Sequence, residues 1–312
     1  MQKIKEWLDA LDFSNCKIEK LGGDASFRKY FRIYHEDKSY ILMDSSENID
    51  ILYPFIEISV RLLKVKVDVP RVIAQNLKVG YLLLTDLGSR HLSDILSPMS
   101  VELLYMKGVN EILKIQNADI TNLPIYDSEL LMSEMDLMQE WYLEKHLSRE
   151  LTSKDKIKLD KILALIKDEV LSQPQGLFVH RDFHSRNIMM ESGKKLTIID
   201  YQDASSGSLT YDLVSMLKDV YVRFDSKEME RIALEFKFLK GYDDKVSDEQ
   251  FLRWFDFTGL QRHLKILGIF SRLDIRDKKS EYLSDIPLTL EYILEVCSKY
   301  DELKPLRKLL QK

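Results

Sequence analysis

Residues 178–203 read FVHRDFHSRNIMMESGKKLTIIDYQD, and this stretch determines how the rest of the chain is interpreted. Its pattern predicts three short apolar strands, at 177–179, 188–190 and 196–199. The first strand delivers a loop that contains Asp182 and Asn187, and the third strand ends in Asp200. We expect these two carboxylates and the amide to face one cleft.

These three side chains have the chemistry that phosphoryl transfer requires. The reaction requires little covalent chemistry from the protein. It does need a carboxylate at the attacking hydroxyl and oxygen ligands for magnesium. We predict that Asp182 is the catalytic carboxylate and that Asn187 and Asp200 hold Mg²⁺. The spacing matches the H-R-D-x-x-x-x-N catalytic loop of kinases. The alternative is an acidic turn between buried strands, which requires the combined match to be a coincidence.

Several cationic or potentially cationic residues accompany Asp182 in the loop. We interpret His180, at the end of a strand, as a packed and hydrogen-bonded support. His184 and Arg186 are predicted catalytic residues, because positive groups near a transferring phosphate stabilise its transition state. Structural support of the loop is the alternative for both residues.

The stretch resembles the superfamily of aminoglycoside phosphotransferases and choline kinases, which has a protein-kinase-like fold. Four segments resemble one of its branches, the bacterial anomeric sugar kinases of cell-wall recycling. They are LGGDASFRKYFRI at 21–33, LTDLG at 84–88, IDYQDASSG at 199–207 and GLQRHLKILGIFSRLDIRD at 259–277. The resemblance implies ATP-dependent phosphorylation of the anomeric hydroxyl of N-acetylmuramic acid and N-acetylglucosamine. It also implies a nucleotidyltransferase that acts downstream.

The predicted fold class is α+β, a two-lobed protein-kinase-like fold. Residues 1–88 are expected to form a nucleotide-binding lobe with a small antiparallel sheet. Residues 89–312, where long amphipathic helices follow one another, are expected to form a mostly helical lobe with the catalytic loop and the acceptor site. Only a dozen positions separate Asp200 from Asp212, and this is too short for the activation segment that protein kinases use to bind a peptide. By the resemblance, Asp212 supports the catalytic loop from beneath.

A glycine turn between the first strands is a candidate for binding the nucleotide phosphates, because glycine lets backbone N–H groups approach closely. The resemblance assigns cofactor-binding residues here and in the hinge between the lobes, where backbone groups are expected to bind adenine. They are Gly23, Asp24, Ser26, Phe27, Arg28, Arg32, Thr85 and Leu87.

One position departs from the superfamily. The third strand usually carries a lysine that holds the nucleotide phosphates, and the alignment places Met43 there. Methionine donates no charge-assisted hydrogen bond, so another cation must act. Arg28 and Arg32 are the candidates, because arginine can bind phosphate with two parallel N–H bonds. Solvated surface arginines are the alternative.

Four residues are predicted to contact the acceptor: Gln202, Asp203, Arg262 and His263. An arginine of the 259–277 segment could bind the lactyl carboxylate of N-acetylmuramic acid. The competing interpretation is that these polar groups form buried salt bridges within the lobe.

Composition limits the classes of partner. The net charge of −5 argues against a general nucleic-acid or membrane-surface binder, since phosphate backbones require a basic surface. Cys16 and Cys297 lie far apart, without further thiols or histidines at metal-ligand spacing. No apolar run approaches membrane-spanning length, and the N-terminus predicts an amphipathic helix. A cytoplasmic location is therefore expected.

Two other functions are left open. An aminoglycoside or amino-alcohol phosphotransferase would use the same catalytic residues, but it would need an acidic acceptor pocket for a cationic substrate. A pseudokinase that binds nucleotide without catalysis is favoured by Met43. The complete set of Asp182, Asn187 and Asp200 speaks against it, because a binding module has no chemical need for all three.

Overall fold

The computed structural model describes residues 1–22, 28–191 and 195–311. The chain divides into two compact units. The first unit comprises Met1–His91 and Ile188–Asp203, and the second comprises Leu92–Asn187 and Ala204–Lys312.

The first unit is built on a five-stranded antiparallel sheet with the strand order β1-β2-β3-β5-β4. Its strands are β1 (Lys17–Lys20), β2 (Lys29–His35), β3 (Lys38–Asp44), β4 (Val72–Asn76) and β5 (Tyr81–Thr85), and its helices are α1 (Gln2–Asp9) and α2 (Leu52–Lys64). Alternate residues of β2, Phe31 and Ile33, are buried with Ile4 and Leu8 of α1. This period of two places one face of the sheet in a core and the other outside it.

A hairpin that is distant in sequence completes the first unit. It consists of β7 (Ile188–Glu191) and β8 (Lys195–Ile198), which pair antiparallel. The Ile198 N–H donates to the carbonyl of Asp68 over 2.8 Å, and Lys195 forms an ion pair with the Asp68 carboxylate. These contacts explain why 188–203 groups with the first unit. The predicted lobes 1–88 and 89–312 remain a prediction.

The second unit is mostly helical. Its helices are α3 (Val101–Ile115), α4 (Ser128–Leu137), α5 (Ser153–Ser172), α6 (Tyr211–Leu217), α7 (Ser226–Leu239), α8 (Asp248–Asp277), α9 (Ile286–Lys299) and α10 (Lys304–Leu310). A π-helix, Met138–His146, continues α4. Two short strands, β6 (Leu177–Val179) and β9 (Ser205–Gly207), pair antiparallel.

The central element of the second unit is α8, whose 30 residues are buried along most of their length. Ser247 caps its start by accepting a hydrogen bond from the Gln250 N–H. Gly268 lies where α8 crosses the end of α4, and a Cβ there would overlap the Leu137 backbone. Because α8 is surrounded by other helices, even its polar side chains are enclosed, and one of them, Arg262, reaches the catalytic loop.

These elements agree with the predicted α+β class, with an antiparallel sheet in one unit and helices in the other. None of the helices in the described part of the chain is long and apolar enough to cross a membrane.

Candidate active site

The catalytic loop, residues 180–187, follows β6 in the second unit. The backbone N–H groups of His180 and Arg181 donate to the two carboxylate oxygens of Asp212, over 2.8 and 3.0 Å. Asp212 is buried in α6, so these two bonds fix the start of the loop to a helix. The supporting role that the resemblance implies for Asp212 is thereby confirmed.

The side chain of Asp182 is accessible to solvent and lies close to positively charged side chains. Its side chain is 42% exposed, and Oδ1 lies 3.5 Å from Nη1 of Arg262. Burial raises the pKa of Asp182, but the positive charges of Arg262 and Lys265 outweigh it and hold the pKa well below the usual range. The carboxylate is therefore charged at neutral pH and open to an incoming hydroxyl.

His180 lies behind this carboxylate and is fully buried. Its Nδ1 accepts a hydrogen bond from the backbone N–H of Asp182 at 3.2 Å. This contact agrees with the interpretation of His180 as a hydrogen-bonded support.

His184 and Arg186 both contact the ring of Tyr221. The His184 ring meets it edge-on, with centroids 5.2 Å apart, and the Arg186 guanidinium lies 3.6 Å from its centroid. Burial lowers the pKa of His184, although the carboxylates of Asp219 and Asp182 raise it, so the imidazole is neutral near pH 7. Of the two, Arg186 is therefore the permanent cation, and its side chain is exposed. The catalytic roles of both residues stay predictions.

Asn187 ends the loop with its amide already oriented. Its Nδ2 donates to the carbonyl oxygen of Asp182 over 3.0 Å and lies 3.4 Å from Nε2 of His184. Because the nitrogen is used in this way, the amide oxygen is the atom that remains to coordinate a metal ion.

Asp200, the second predicted metal ligand, belongs to the first unit. It has a left-handed backbone, with φ of 62°, and its side chain is 43% exposed. Its Oδ1 accepts hydrogen bonds from Arg28 at 3.1 Å and from Gln202 at 3.0 Å. A non-glycine residue in this region is uncommon and is often found at functional sites.

The donor atoms fit magnesium better than a transition metal. Magnesium prefers carboxylate, amide and phosphate oxygens, and it uses only one or two protein carboxylates. Within residues 1–22, 28–191 and 195–311, no group of three or more His, Cys, Asp or Glu side chains is placed to hold a metal ion. An ion held by Asp200 would therefore depend on nucleotide phosphates for further ligands.

The predicted nucleotide contacts fall into two groups. Gly23, Asp24, Ser26 and Phe27 lie outside the described residues. In the hinge, Arg32 forms an ion pair with Asp86 at 2.7 Å and donates to the Gly88 carbonyl at 2.8 Å. Arg32 therefore ties β2 to the turn that follows β5, and this engagement favours a role in shaping the hinge.

Two hinge residues complete this group. The Thr85 hydroxyl accepts a hydrogen bond from the Arg71 N–H at 3.0 Å, and Leu87 is partly buried. The adenine contacts of both residues stay predictions.

Met43 occupies the position where a lysine is expected, and it is fully buried. It lies on β3 opposite Tyr30 on one side and Leu82 on the other. Its apolar side chain is part of the interior, so the phosphate-binding cation must come from another residue.

The predicted acceptor residues separate into pairs. In the first unit, Gln202 donates to Asp200 and, over 2.9 Å, to Asp203. The Oε1 of Gln202 is buried and finds no hydrogen-bond partner among the described residues, so it can accept from a ligand. Asp203 is exposed.

In the second unit, Arg262 and His263 have different environments. Arg262 donates to the Arg181 carbonyl at 2.6 Å beside Asp182, which places it at the catalytic carboxylate. His263 is fully buried, its Nε2 hydrogen-bonds the Lys218 carbonyl at 2.9 Å, and its ring stacks on Tyr292. This geometry favours a packing role for His263 over the predicted contact with substrate.

Comparison with known proteins agrees with this arrangement. The model of the phosphotransferase enzyme family matches residues 17–247. The N-acetylmuramate/N-acetylglucosamine kinase of Pseudomonas aeruginosa is 37% identical over 325 aligned positions, covering 99% of this chain and 95% of the relative. The protein of the same name from Neisseria meningitidis is 33% identical, covering 99% and 94%. This chain belongs to the phosphotransferase enzyme family. The family predicted from its sequence motifs is thereby confirmed.

Solved structures of other phosphotransferases share the fold. The ADP-bound aminoglycoside phosphotransferase APH(2'')-Ib aligns with a TM-score of 0.62 at 14% identity, covering 95% of this chain and 98% of that structure. Choline kinase LicA of Streptococcus pneumoniae aligns with a TM-score of 0.65 at 15% identity, covering 94% and 98%. At this identity the likeness concerns the fold alone, and it confirms the predicted protein-kinase-like class.

Three residues near the catalytic loop of this phosphotransferase were not predicted. Glu134 and Lys265 form part of a buried network beside Arg181, and Asp219 accepts the N–H groups of Ser185 and Tyr221. Glu134 and Lys265 lie on α4 and α8, far apart in sequence, so no local spacing signals that they meet. The only hint was the polar content of the 259–277 segment.

Proposed function

We propose that this phosphotransferase is an ATP-dependent sugar kinase that phosphorylates the anomeric hydroxyl of N-acetylmuramate or N-acetylglucosamine. The relatives that carry the names of these sugars span nearly the whole chain and support this choice of acceptor. The observation that carries the proposal is the exposed, charged carboxylate of Asp182 beside the buried cations Arg262 and Lys265.

In the proposed mechanism, Asp182 orients the anomeric hydroxyl and accepts its proton. The sugar oxygen attacks the γ-phosphorus of ATP in line, a new P–O bond forms, and the bond to the leaving ADP breaks. Arg262 fixes the carboxylate and keeps it ionised. Bound Mg²⁺, with Asn187 and Asp200 as the predicted ligands, would neutralise charge on the phosphates. No covalent intermediate on the protein is required.

The charge around Asp182 bears on the alternative acceptors. Aminoglycosides and choline are cations, and a site for them needs carboxylates in excess of cationic groups. Here the carboxylate of Asp182 already has a cation beside it, since Arg262 Nη1 lies 3.5 Å from its Oδ1. Like charges placed together disfavour a cationic acceptor, whereas a neutral or anionic sugar meets no such penalty.

Arg28 is the cation that we propose in place of the missing lysine. Its side chain is 13% exposed and lies 3.1 Å from the Asp200 carboxylate, a predicted metal ligand. A guanidinium beside a metal-bound phosphate can donate charge-assisted hydrogen bonds to its oxygens. Arg32 is less suited, since Asp86 and the Gly88 carbonyl already engage it.

The test is ATP turnover by the purified protein with magnesium and a panel of acceptors. The panel contains N-acetylmuramate, N-acetylglucosamine, choline and an aminoglycoside, which differ in charge. We expect ADP release with the two N-acetyl sugars and none above background with the cations. Turnover confined to a cationic acceptor would overturn the sugar assignment, and nucleotide binding without turnover on any acceptor would favour the pseudokinase.

Two further expectations stay predictions. They are the cytoplasmic location and a nucleotidyltransferase that consumes the sugar phosphate. Neither is needed for the mechanism.

A further inference from the structure

Arg181, the residue before the catalytic carboxylate, has a strained backbone that is held from several sides. Its φ is 76°, in the left-handed region that side chains other than glycine rarely adopt. The Arg181 N–H donates to Asp212 on α6, and its carbonyl accepts from Arg262 on α8. A backbone in this conformation persists only where its surroundings hold it there. These contacts therefore fix the direction in which the Asp182 side chain points.

The side chain of Arg181 makes the third contact that fixes this residue. The guanidinium Nη2 lies 2.7 Å from Oε1 of Glu134, a buried residue of α4. Three helices therefore converge on the residue adjacent to Asp182: α4 through Glu134, α6 through Asp212 and α8 through Arg262.

Glu134 is itself fixed by four donors. Oε1 is shared by Arg181 and by Lys265 Nζ at 2.9 Å. Oε2 accepts from Tyr126, and from Gln261 Nε2 at 3.2 Å. Burial raises the pKa of Glu134, but Lys265, Tyr126 and Arg181 together lower it below its ordinary value, so the side chain is an anion. A buried carboxylate whose two oxygens each accept two hydrogen bonds has little freedom to move.

The charges in this region nearly balance. The buried or partly buried cations are Arg181, Arg262 and Lys265, and Glu134 and Asp182 oppose them. If Glu134 were neutral, Asp182 and Asp212 would be the carboxylates that remain beside these cations. A cation released from Glu134 would then compete with the sugar hydroxyl for the catalytic carboxylate.

We propose that Glu134 is a positioning residue for Asp182. It acts through Arg181, whose side chain it holds, and through Lys265, whose charge it keeps away from the catalytic carboxylate. The proposal rests on the proposed function for its kinetic part and on the geometry of the loop for its structural part.

The test compares Glu134→Gln with a matched control elsewhere in the second unit. Asp256 is also a buried carboxylate, which accepts from Lys218 at 2.6 Å, Lys299 at 3.2 Å and Tyr300 at 3.0 Å. None of these three partners belongs to the loop at 180–187. Both Glu134→Gln and Asp256→Asn remove one buried charge, and both are expected to lower the thermal midpoint.

Only the first variant is expected to change catalysis. For Glu134→Gln, kcat should fall by about 10- to 100-fold, because small misplacements of reacting groups cost this much. The KM for ATP and for the sugar should each change by less than about threefold. For Asp256→Asn, kcat per folded molecule should match the wild type. Equal kcat in the wild type and in folded Glu134→Gln would overturn the positioning role.

A second readout does not depend on turnover. Amide hydrogen exchange in the peptide that covers 180–187 should be faster in Glu134→Gln and unchanged in Asp256→Asn, because Glu134 contacts the loop through Arg181 whereas the partners of Asp256 lie outside it. Equal exchange in both variants would also overturn the proposal. If the wild type fails to phosphorylate any sugar, the proposed function is lost, and the exchange experiment still decides the role of Glu134.

A milder variant covers the case in which Glu134→Gln does not fold. Tyr126→Phe removes one of the four donors and leaves the carboxylate in place. It should reduce kcat and accelerate exchange in the same direction by a smaller factor. Wild-type kcat together with wild-type exchange in this variant would count against the network.

Discussion

The two units hold their functional cations in different ways. In the second unit, Arg262, Lys265 and Arg181 belong to one connected network that includes Glu134 and Asp182, the predicted catalytic carboxylate. In the first unit, Arg28 and Arg32 form separate pairs, one with Asp200 and the other with Asp86.

This difference suggests a division of labour. A connected buried network resists displacement, since moving one member leaves the others unpaired. It suits a carboxylate that must hold one direction through the reaction. An ion pair outside such a network, such as Arg28 with Asp200, has fewer linked members and can exchange partners when an ion or a phosphate arrives. It suits a nucleotide that must bind and leave.

The largest expected effect concerns the centre of the connected network. Asp182→Asn keeps the shape but removes the charge and the proton acceptor. We expect kcat to fall by about 10³-fold, within the range for loss of a general base. Steady-state kinetics and ATP binding by calorimetry check this, and binding should be retained. The exposed Asp168→Asn on α5 is the control, and near-wild-type turnover by Asp182→Asn would refute the catalytic assignment.

The second prediction concerns Met43, which occupies the position where the superfamily usually has a phosphate-binding lysine. Met43→Lys places a cation in a fully buried site between Tyr30 and Leu82. We expect a loss of stability on the order of 2–4 kcal/mol and no tighter binding of ATP, because an unpaired buried charge is costly. Denaturant unfolding measures the loss, with Met43→Leu as the control. A Met43→Lys variant that binds ATP more tightly at unchanged stability would show that Met43 borders the phosphates.

The third prediction concerns the exchange of partners by Arg28. Arg28→Met should raise the KM for ATP by about tenfold, the size of one charge-assisted contact, while Arg28→Lys should recover part of it. The control is Lys29→Met, which removes the neighbouring surface cation that pairs with Glu47 at 2.5 Å. If Lys29→Met raises KM as much as Arg28→Met, general surface charge and not a specific contact is responsible.

The smallest expected effect is a pH dependence of the folding stability. It arises at His263, outside the catalytic loop. Burial lowers the pKa of His263 to about 3 from its ordinary value of 6.5. Between these values the unfolded chain binds the proton and the folded chain does not, so the folded protein loses stability as pH falls below 6.5. The loss is about 1.4 kcal/mol for each further pH unit.

His263→Gln should flatten this slope, because glutamine does not titrate. Unfolding in denaturant at pH 5.5 and pH 7.5 measures it, in the wild type and in the variant. An equal slope in both would show that His263 is protonated in the folded protein or that other groups dominate.

Much of the fold was readable from local patterns. The strands at 177–179 and 188–190 were predicted close to their observed bounds, because apolar periodicity is a local signal. The spacing of Asp182 and Asn187 predicts a catalytic loop for the same reason, and the catalytic roles of these residues stay predictions. The division of the chain was less accessible, since 188–203 joins the first unit through contacts with Asp68, more than 100 positions earlier.

The site was predicted where its residues lie in one stretch and missed where it depends on packing between helices. Arg262 and His263 are neighbours in sequence, yet one reaches the catalytic carboxylate and the other is buried against Lys218. A turn of about 100° separates adjacent residues on a helix, so the surroundings of α8 decide which is functional. Glu134 carried no motif at all.

The most direct test of the sugar-kinase account is phosphorus NMR of the product. The wild-type protein, Mg-ATP and N-acetylmuramate are mixed, with Asp182→Asn as the parallel sample. The account predicts a new sugar phosphate signal coupled to the anomeric proton in the wild-type sample and none in the variant. A phosphate on another hydroxyl would contradict the proposed acceptor position, and an equal signal in both samples would contradict the role of Asp182.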